Sequence, residues 1–352
     1  MKENTTLTAG IDISDRTSRI CILDEQGNVL EESKIRSTRE AVTQYFASRE
    51  SMLIALEVGT HSPWMSHLLG ELGHEVVVAN PRKLRLIYEN EAKRDEVDAE
   101  MIARVARMDR KLLCPVVHRG EEAQAAMALI RSRDALVRAR TMLVNHTRGT
   151  VKSTGERLRT CSAASFHRLE GELPLQLISA LQPLMVVIAE LGKRIREIES
   201  EIERVSRESF PETALMRDVH GVGAVTALAF TLTIEDPTRF PQTRALGAYL
   251  GLVPRRDQSG ERDPQLSVTK AGNNYLRRLL VSAAHRILGP FGPDSDLRRF
   301  GLKKAAGGGK RAKKRAVIAV SRKLAVLLLT MWKNGEVYEP LRQAGKCDAS
   351  AA

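Results

Sequence analysis

The sequence predicts an α/β unit at the amino-terminal end, followed by a mostly α-helical remainder with a coiled coil in its middle. Short apolar runs separated by turn residues fill roughly the first hundred positions. A heptad repeat follows, and helix-spaced apolar residues broken by glycine and proline complete the chain. A chain of 352 residues is too long for one ordinary core. We therefore predict domains at residues 1–118, 119–208 and 209–352.

The composition indicates a nucleic-acid partner. The net charge is +12 and the isoelectric point is about 9.7, so a polyanion is expected, and nucleic acid is favoured over a membrane. Aromatic residues make up only 4%, which argues against binding of single strands mainly by base stacking. The four cysteines form no CxxC pair, and no apolar run of about 18 residues stands out. These features predict no zinc site, no disulfide framework, no membrane segment and a cytoplasmic location.

The amino-terminal unit has the element order of a ribonuclease-H-like fold. Apolar alternation predicts three strands joined by tight turns, at residues 6–13, 19–23 and 29–35. Helices and further strands then alternate, at residues 41–47 (helix), 52–56 (strand), 64–72 (helix), 75–78 (strand) and 98–108 (helix). Three antiparallel strands followed by alternating helices and strands is the arrangement expected of that fold.

Four carboxylates in this unit are placed for metal chemistry. Asp12 lies on the first strand and Glu57 at the end of the fourth, and these strands are neighbours in such a sheet. Asp95 and Asp98 are three residues apart at a helix start and share one face. Hard oxygen ligands of this kind suit one or two Mg²⁺ ions that bind a phosphate. Each residue alone could instead be a helix cap, a strand end or a turn residue.

A kinase is the competing interpretation of this unit. Residues 10–14 resemble the first phosphate loop of sugar kinases. That fold needs a second glycine-rich phosphate hairpin and a glycine-rich adenosine site. The glycines at 307–309 lie in a lysine-rich region rather than between strands, so the kinase interpretation is disfavoured.

The middle of the chain predicts two long helices. Residues 121–151 form the first, residues 154–173 form a bend, and the return helix carries an a/d heptad seam. The apolar residues of the seam are Leu181, Leu184, Ile188, Leu191, Ile195, Ile198, Ile202 and Val205. Its partner is either the chain's own first helix or a second protomer, and we expect both. The first helix also carries arginines that form a solvated face or follow a nucleic-acid backbone: Arg131, Arg133, Arg138, Arg140 and Arg148.

The carboxyl-terminal part contains a serine in a short glycine-bearing loop. Ser259 is followed by Gly260, which leaves its hydroxyl sterically open, whereas nearby Ser267 has no adjacent glycine. Cations flank the loop on both sides: Arg255, Arg256, Lys270, Arg277 and Arg278. Such cations would hold a phosphate and offset the charge that develops when a hydroxyl attacks phosphorus. A serine–glycine pair among charged residues is more often an ordinary turn.

Two other features indicate phosphate contacts. Residues 219–224 resemble a helix-hairpin-helix, in which Gly221 and Gly223 let backbone amides approach a DNA phosphate. An ordinary glycine turn between packed helices fits this segment equally well. Residues 298–323 contain eleven lysines or arginines and no acidic residue. This one-sided run, typical of nucleic-acid-binding segments, includes Lys310, Arg311, Lys313, Lys314 and Arg315.

Short motifs along almost the whole chain match one family. They are GIDIS, ALEVGT, ANPRKLR, KRDEVDAEMIA, HGVGAVTA, PTRF with ALGAYLGLVP, then SG, VTKAGNNYLRRLL and KKRAVIAVSRKL. Together they resemble the DEDD-type insertion-sequence transposases, bridge-RNA-guided serine recombinases with a RuvC-like amino-terminal domain. One departure is His220, which precedes GVG where proline is commoner in the family.

The resemblance implies a site and a mechanism. Asp12, Glu57, Asp95 and Asp98 match the family's metal-binding tetrad, and Ser259 matches its nucleophilic serine. By that likeness, Ser259 attacks a DNA phosphodiester and leaves a phosphoserine link and a free 3′ hydroxyl. The family also implies Mg²⁺, donor and target double-stranded DNA, and a guide RNA that selects the DNA by base pairing. It further implies a dimer or tetramer in which the serine and the metal ligands meet across protomers.

Two other functions remain open at this stage. In a metal-dependent nuclease or Holliday-junction resolvase, the carboxylates would activate water and Ser259 would be structural. In a non-catalytic nucleic-acid scaffold, neither the serine nor the carboxylates would matter except for folding. Substitution of Ser259 and of a carboxylate distinguishes the three interpretations.

Overall fold

The computed structural model describes residues 7–80, 95–255 and 266–342. The chain divides into two compact units, Met1–Gly120 (unit 1) and Glu121–Ala352 (unit 2). Unit 1 contains a five-stranded mixed sheet with helices, and unit 2 is helical over most of its described residues. The predicted combination of an α/β part and a mostly α part is therefore confirmed.

The sheet of unit 1 follows the predicted strand order along the chain. Its strands are β1 (Thr8–Ile13), β2 (Thr17–Leu23), β3 (Val29–Arg36), β4 (Leu53–Glu57) and β5 (Glu75–Ala79). Their order in space is β3-β2-β1-β4-β5. The first three strands pair antiparallel, whereas β4 lies parallel to both β1 and β5. The carboxyl ends of β1, β4 and β5 therefore share one edge of the sheet, called here the carboxyl edge.

Helices cover both faces of this sheet: α1 (Arg39–Phe46), α2 (Ser62–Glu71) and α3 (Asp95–Met108). Successive strand residues point to opposite faces, so β1 contributes to two separate contacts. Ala9 and Ile11 pack with apolar residues of α1 and α2 such as Phe46 and Met65. On the other face, Gly10 approaches α3. The alternation in sequence thus fixes which side of β1 each helix covers.

Unit 2 is built on a pair of long antiparallel helices, α4 (Glu121–Ser153) and α5 (Ile178–Glu208). Ile202 near the end of α5 packs with Ile130 near the start of α4, and Met185 packs with Val151 at the opposite ends. An Arg133–Glu199 ion pair links the two helices between these contacts. Helix α4 is therefore the partner of α5 within the chain, which is one of the two predicted pairings.

The buried face of α5 differs in part from the predicted seam. Four predicted positions seven residues apart are buried, from Leu181 to Ile202. The four alternate positions are only half-buried: Leu184, Leu191, Ile198 and Val205. Met185, Gly192 and Ser206 are buried in their place. The face is rotated because α5 contacts α4, a short 3₁₀ helix (Phe166–Glu172) and the helix at Ala224–Ile234, rather than one symmetric partner.

The remaining helices of unit 2 share one core with the base of this pair. They are α6 (Thr213–Arg217), α7 (Ala224–Ile234), α8 (Leu246–Tyr249), α9 (Asn274–Leu288), α10 (Asp296–Ala305) and α11 (Gly309–Asn334). Nine consecutive residues of α7, from Thr226 to Ile234, are buried, as expected of a helix surrounded by others. The core around α7 includes Leu280 of α9 and Leu324 of α11.

One helical stretch of unit 2 is long and apolar enough to cross a membrane, a feature that the sequence analysis did not pick out. It spans Leu175–Glu208, with a mean hydropathy of 1.6 over its most apolar window, of which 22% is buried. Length and composition are weak evidence, since a core helix of a soluble protein meets the same criteria. Here Leu181, Met185 and Ile188 pack inside unit 2.

Candidate functional site

Two of the predicted metal ligands lie at the carboxyl edge of the sheet on neighbouring strands. Asp12 is the penultimate residue of β1, and Glu57 is the last residue of β4. The register of these parallel strands aligns Ile11 with Leu56, so the two carboxylate residues follow at the same level. Both are partly exposed. The sheet thus brings Asp12 and Glu57 together at an edge accessible to solvent.

Helix α3 runs antiparallel to β1 and directs its amino terminus to the same edge. Near its carboxyl end, Arg104 donates to the carbonyl oxygen of Gly27 at 3.0 Å, and Arg107 donates to that of Glu25. This β2–β3 turn lies beside the amino end of β1, because Leu23 pairs with Thr8. The opposite end of α3 carries Asp95 and Asp98. Its first turn therefore lies toward the carboxyl edge.

Gly10 is the residue that permits this packing. A Cβ atom at Gly10 would overlap the carbonyl oxygen of Ala99 and come within 2.7 Å of the Ala103 nitrogen. The helix therefore packs directly on the strand backbone, and only small residues fit at the contact. Asp98 immediately precedes Ala99, so the same close approach fixes its position along β1.

The donor chemistry of these residues fits a hard divalent cation. Carboxylate oxygens from two strand ends and one helix are the ligands that Mg²⁺ prefers. Within residues 7–80, 95–255 and 266–342, no group of three or more histidine, cysteine, aspartate or glutamate side chains closes into a metal-binding cluster. Asp95 belongs to α3, but its side chain lies outside the described atoms. Asp12, Glu57 and Asp98 are the described part of the predicted tetrad.

In unit 2, the two backbone segments that flank the candidate serine in sequence pair with each other. Ser259 and Arg256 belong to residues 256–265, which are outside the described residues. The flanking segments 251–255 and 266–270 pair antiparallel, with a bridge between Pro254 and Val268. Three hydrogen bonds join the arms: Arg255 N to Ser267 O (2.9 Å), Thr269 N to Val253 O (2.9 Å) and Lys270 N to Gly251 O (3.2 Å). We call these two arms the stem.

Two glycines at the base of the stem are needed for its geometry. Gly251 has φ +66° and Gly272 has φ +72°, a region that L-residues rarely adopt. A Cβ at Gly251 would overlap the backbone of Ala271, and one at Gly272 would overlap the carbonyl oxygen of Tyr249. The two segments therefore cross in direct backbone contact, and no side chain fits between them.

Arg277 joins both arms at this crossing. Its Nη1 donates to the carbonyl oxygen of Leu250 (2.9 Å) and to that of Ala271 (2.7 Å), and its Nη2 donates to Asn274 Oδ1 (3.0 Å). The residue is only 9% exposed, and burial lowers the pKa of its guanidinium. The guanidinium of Arg277 therefore holds the stem to α9.

The other cations predicted around the serine are placed differently. Arg278 is half-exposed, with its guanidinium 3.0 Å from Asp134 on α4 and 5.3 Å from the centre of the Tyr275 ring. Arg255 and Lys270 are exposed on opposite arms of the stem. Lys270 has φ +56°, an unusual conformation for a residue with a side chain. The stem thus carries one exposed cation on each arm.

The sequence analysis missed two asparagines that position α9 under the stem. Asn273 is the N-cap of α9, and its Oδ1 accepts from Leu276 N at 3.1 Å. Its Nδ2 donates to Thr233 Oγ1 on α7 at 3.2 Å. Asn274 is the side-chain partner of Arg277. Asparagine directly before a helix-spaced apolar run is a capping signal that sequence inspection can detect.

The glycine-bearing segment, for which the sequence fits a helix-hairpin-helix and an ordinary turn equally well, connects α6 to α7. Gly221 has φ +89°, and a Cβ there would come within 2.9 Å of the Ala283 carbonyl oxygen on α9. Gly223 is the exposed N-cap of α7, with open space around it. Gly221 is therefore required for packing, whereas Gly223 presents an open backbone.

Part of the basic run forms the exposed amino-terminal end of α11. The first seven residues of the helix are wholly or partly exposed, and the cations among them are Lys310, Arg311, Lys313, Lys314 and Arg315. No acidic residue lies in the first turn. Cations at a helix amino terminus oppose the helix dipole, so this arrangement is electrostatically unfavourable without an anionic partner. From Ala316 onward the helix enters the core.

Comparison with known proteins finds similarity to transposases over most of the chain. A model of the DEDD-type IS110 transposases matches residues 9–155, and a model of the IS116/IS110/IS902 transposase family matches residues 213–296. The chain is 29% identical over 341 residues to the transposase for insertion sequence element IS1111A of Coxiella burnetii, covering 94% of this chain and 90% of the relative. Identity to the transposase for insertion sequence element IS1328 of Yersinia enterocolitica is 31% over 280 residues, covering 78% and 82%. A probable family 20 transposase of Pseudomonas aeruginosa is 27% identical over 286 residues.

The matched regions contain the carboxylates of unit 1 and the stem of unit 2, the two sites described above. Both sites thus lie in regions characteristic of enzymes that move insertion sequences. The chain belongs to the IS116/IS110/IS902 family of insertion-sequence transposases. Its substrate is therefore DNA, and membership of a DEDD-type family implies a divalent metal cation, typically Mg²⁺.

Proposed function

We propose that this transposase cleaves and exchanges DNA strands through a covalent phosphoserine–DNA intermediate formed by Ser259. Unit 1 is the ribonuclease-H-like, RuvC-like domain, which holds Mg²⁺ through Asp12, Glu57, Asp95 and Asp98. The observation that carries the proposal is the convergence of these residues' backbone positions on one sheet edge, where Asp12 and Glu57 stand level on paired strands. The strand order β3-β2-β1-β4-β5 supports the same fold.

The carboxylates contribute negative charge and fixed oxygen ligands at this edge. Asp12 and Glu57 are anchored in core strands, so their backbone positions are set by the sheet rather than by a loop. Asp98 is fixed by the contact of its neighbour Ala99 with Gly10. A bound Mg²⁺ would polarise the scissile phosphate and neutralise its charge. The protein supplies the rigid framework in which that ion is held.

The serine step balances without an energy source. The Ser259 oxygen forms a bond to phosphorus, the bond from phosphorus to the 3′ oxygen breaks, and the serine proton is lost while the 3′ oxygen gains one. The phosphoserine ester retains the energy of the phosphodiester, so a second 3′ hydroxyl can reverse the step and rejoin strands without ATP. Among the described residues, the exposed cations nearest to Ser259 in sequence are Arg255 and Lys270 on the stem. They would bind the phosphates that flank the cleaved bond.

The choice of DNA sequence is proposed to reside in a guide RNA that pairs with donor and target. A net charge of +12 and an exposed basic end of α11 support extensive backbone contact, which positions a nucleic acid without reading its bases. The active form is proposed to be a dimer or tetramer. Half-buried apolar residues of α5, such as Leu184 and Leu191, leave part of the predicted seam available for a second protomer.

The basic end of α11 gives a separate test. Replacing Lys310, Arg311, Lys313, Lys314 and Arg315 by glutamine is expected to lower nucleic-acid affinity and reduce the slope of log K against log salt by up to about 4.5. Fluorescence anisotropy over a salt series measures both quantities. Glutamine at Arg194 and Arg204, which are already paired with glutamates on α5, serves as the control and is expected to change the slope little. An unchanged slope in the five-residue variant would exclude this segment as a phosphate-binding surface.

The serine mechanism is tested by following labelled donor DNA on a denaturing gel. Wild type, incubated with its co-purified RNA and Mg²⁺, is expected to give a shifted, protease-sensitive band. Ser259→Ala and Asp12→Ala are expected to abolish that band. Ser267→Ala is the matched control, because Ser267 contributes its backbone carbonyl to the stem and this substitution keeps that group. It is expected to retain the band.

Other patterns on the same gel support the rival functions. Free cleaved ends without attached protein, present in Ser259→Ala and absent in Asp12→Ala, would indicate a hydrolytic nuclease or resolvase. Intact DNA in every lane, including wild type, would indicate a non-catalytic scaffold. Either pattern contradicts covalent serine catalysis.

A further inference from the structure

A row of three charged residues crosses the sheet of unit 1 beside the candidate metal carboxylates. Strand register places Asp12 of β1 opposite Arg19 of β2, and Arg19 opposite Lys34 of β3. Residues directly opposite each other in antiparallel strands project from the same face, about 5 Å apart. The row therefore leads from a carboxylate at the carboxyl edge to a cation on each of the next two strands.

This row lies on the face of the sheet that α3 covers only in part. Gly10 and Cys21 are opposite each other, and both pack against α3. Asp12 and Arg19 each lie two residues from this contact on their strands, so they share its face. Lys34 of β3 is exposed. Helix α3 thus covers the centre of the face and leaves the β3 side accessible.

A cavity of about 190 Å³ opens between the row and the helix. Its lining includes Arg19 and Lys34 from the row, Cys21 and Glu32 beside it, and Ala99 of α3. The cavity is therefore bounded on one side by two cations and on the other by the helix that carries Asp98. It is large enough for a phosphate group with its water.

Along β3, the charge on this face of the sheet changes from negative to positive toward the carboxyl edge. Glu32 lies in the middle of β3, two residues before Lys34. Burial, then Glu100 and then Glu32 raise the pKa of the neighbouring Cys21 thiol to about 11. Toward the carboxyl edge the same face carries Lys34 and then Arg36, which is also exposed. Cations thus gather at the end of β3 that shares an edge with Asp12, where a polyanion approaching the carboxylates would pass.

We infer that Arg19, Lys34 and Arg36 form a phosphate-binding track that leads one nucleic-acid strand across β2 and β3 to the carboxylates of β1 and β4. The ligand is the phosphodiester backbone, which DNA and RNA share, so binding on the track is independent of sequence. The track concerns the approach of the strand to the carboxylates and does not depend on Ser259 as the nucleophile.

Binding in EDTA tests the track without catalysis. The full-length Lys34→Gln, Lys34→Gln/Arg36→Gln and Lys111→Gln variants are compared with wild type by anisotropy over a salt series. Labelled duplex DNA, single-stranded DNA and single-stranded RNA are used as separate probes. Lys111 is the matched control: it is exposed, and it lies in the 3₁₀ helix (Arg110–Leu113) that follows α3, beside the amino end of the sheet.

The double variant is expected to weaken binding of at least one probe roughly tenfold at moderate salt. The salt slope for that probe is expected to fall by about 1.8 for duplex DNA or by about 1.4 for a single strand. Lys34→Gln alone is expected to give about half of that change in slope, and Lys111→Gln none. The probe that is affected identifies whether DNA or RNA runs along the track. Equal effects of Lys34→Gln and Lys111→Gln, or no effect of the double variant on any probe, would overturn the inference. An unchanged melting temperature confirms that these exposed substitutions leave the fold intact.

Discussion

In unit 1 the candidate functional residues end core strands, whereas in unit 2 the two arms that flank the candidate serine in sequence are joined by backbone hydrogen bonds and cross at their base. The positions of Asp12 and Glu57 are fixed by the paired, buried strands that they end. The stem depends instead on a crossing of two glycines and one buried arginine, Arg277. In the proposed function, the sheet edge carries the metal ligands, and the stem leads in sequence to the attacking serine.

The close packing of α3 on β1 is tested by substitution of Gly10, which is expected to have the largest effect. Gly10→Ala forces α3 away from β1, because the new methyl group would overlap the Ala99 carbonyl oxygen. Overpacking of this kind is expected to destabilise unit 1 by about 3 kcal/mol and to displace Asp98 from the carboxyl edge. Thermal unfolding followed by circular dichroism measures the loss.

Gly70→Ala is the matched control for Gly10→Ala. Gly70 lies in α2, and nothing stands within 4 Å of an added Cβ. Alanine is favoured over glycine in a helix, so stability is expected to rise by about 0.5–1 kcal/mol. Equal destabilisation by both substitutions would show that the helix–strand contact at Gly10 is not close.

Substitution of two adjacent arginines tests whether Arg277 holds the base of the stem. Arg277→Met leaves the carbonyl oxygens of Leu250 and Ala271 without their donor and is expected to cost about 2–3 kcal/mol. Arg278→Met removes an exposed partner of Asp134, which keeps Arg138, and is expected to cost about 1 kcal/mol or less. Chemical denaturation of both variants measures the two losses of unfolding free energy. If Arg278→Met were the more damaging change, Arg277 would not be the residue that joins the arms.

A smaller effect is expected where β3 is attached to α1. Glu31 accepts from Tyr45 Oη (2.6 Å) and pairs with Arg49 (2.9 Å), and hydrogen bonds from Arg49, Tyr45 and Ser33 lower its pKa to about 2. Because the folded-state pKa is depressed, the stabilisation is present above about pH 4.3, the usual pKa of glutamate, and is lost as pH falls toward 2. Glu31 is partly exposed, so the contribution is about 1 kcal/mol after solvent screening.

Glu31→Gln is expected to remove this part of the acid dependence. The difference in stability from wild type should shrink as pH falls from about 4.3 toward 2. Melting temperatures measured across that range test the expectation. A difference that stays constant with pH would mean that the carboxylate does not gain its stabilisation from ionisation.

The sequence allowed the sheet of unit 1 to be predicted well because its signals are local. Strands such as β1 and β5 are short apolar runs bounded by turn residues, and the structure places them within about two residues of the prediction. The position of Asp12 beside Glu57 followed from the strand order alone. Local periodicity and chain order were sufficient here.

The stem could not be predicted because its contacts are not local. Arg277 and Arg278 are adjacent arginines at the start of one helix, and the sequence does not distinguish the buried one from the exposed one. Their environments differ because Arg277 faces the crossing of Gly251 and Gly272, which becomes apparent only when residues about twenty apart are brought together. The rotated face of α5 has a similar cause, since it depends on three neighbours that the heptad spacing does not specify.

The most direct test of the central claim is to locate the nucleotide on the protein. The covalent complex formed with donor DNA is digested with nuclease and trypsin and analysed by mass spectrometry. Cleavage after Arg256 and Arg262 releases residues 257–262, DQSGER, in which Ser259 is the sole hydroxyl residue, while Ser267 falls in the next peptide. The account predicts a nucleotide adduct on DQSGER. An adduct on another peptide, or cleaved DNA with no adduct, would contradict it.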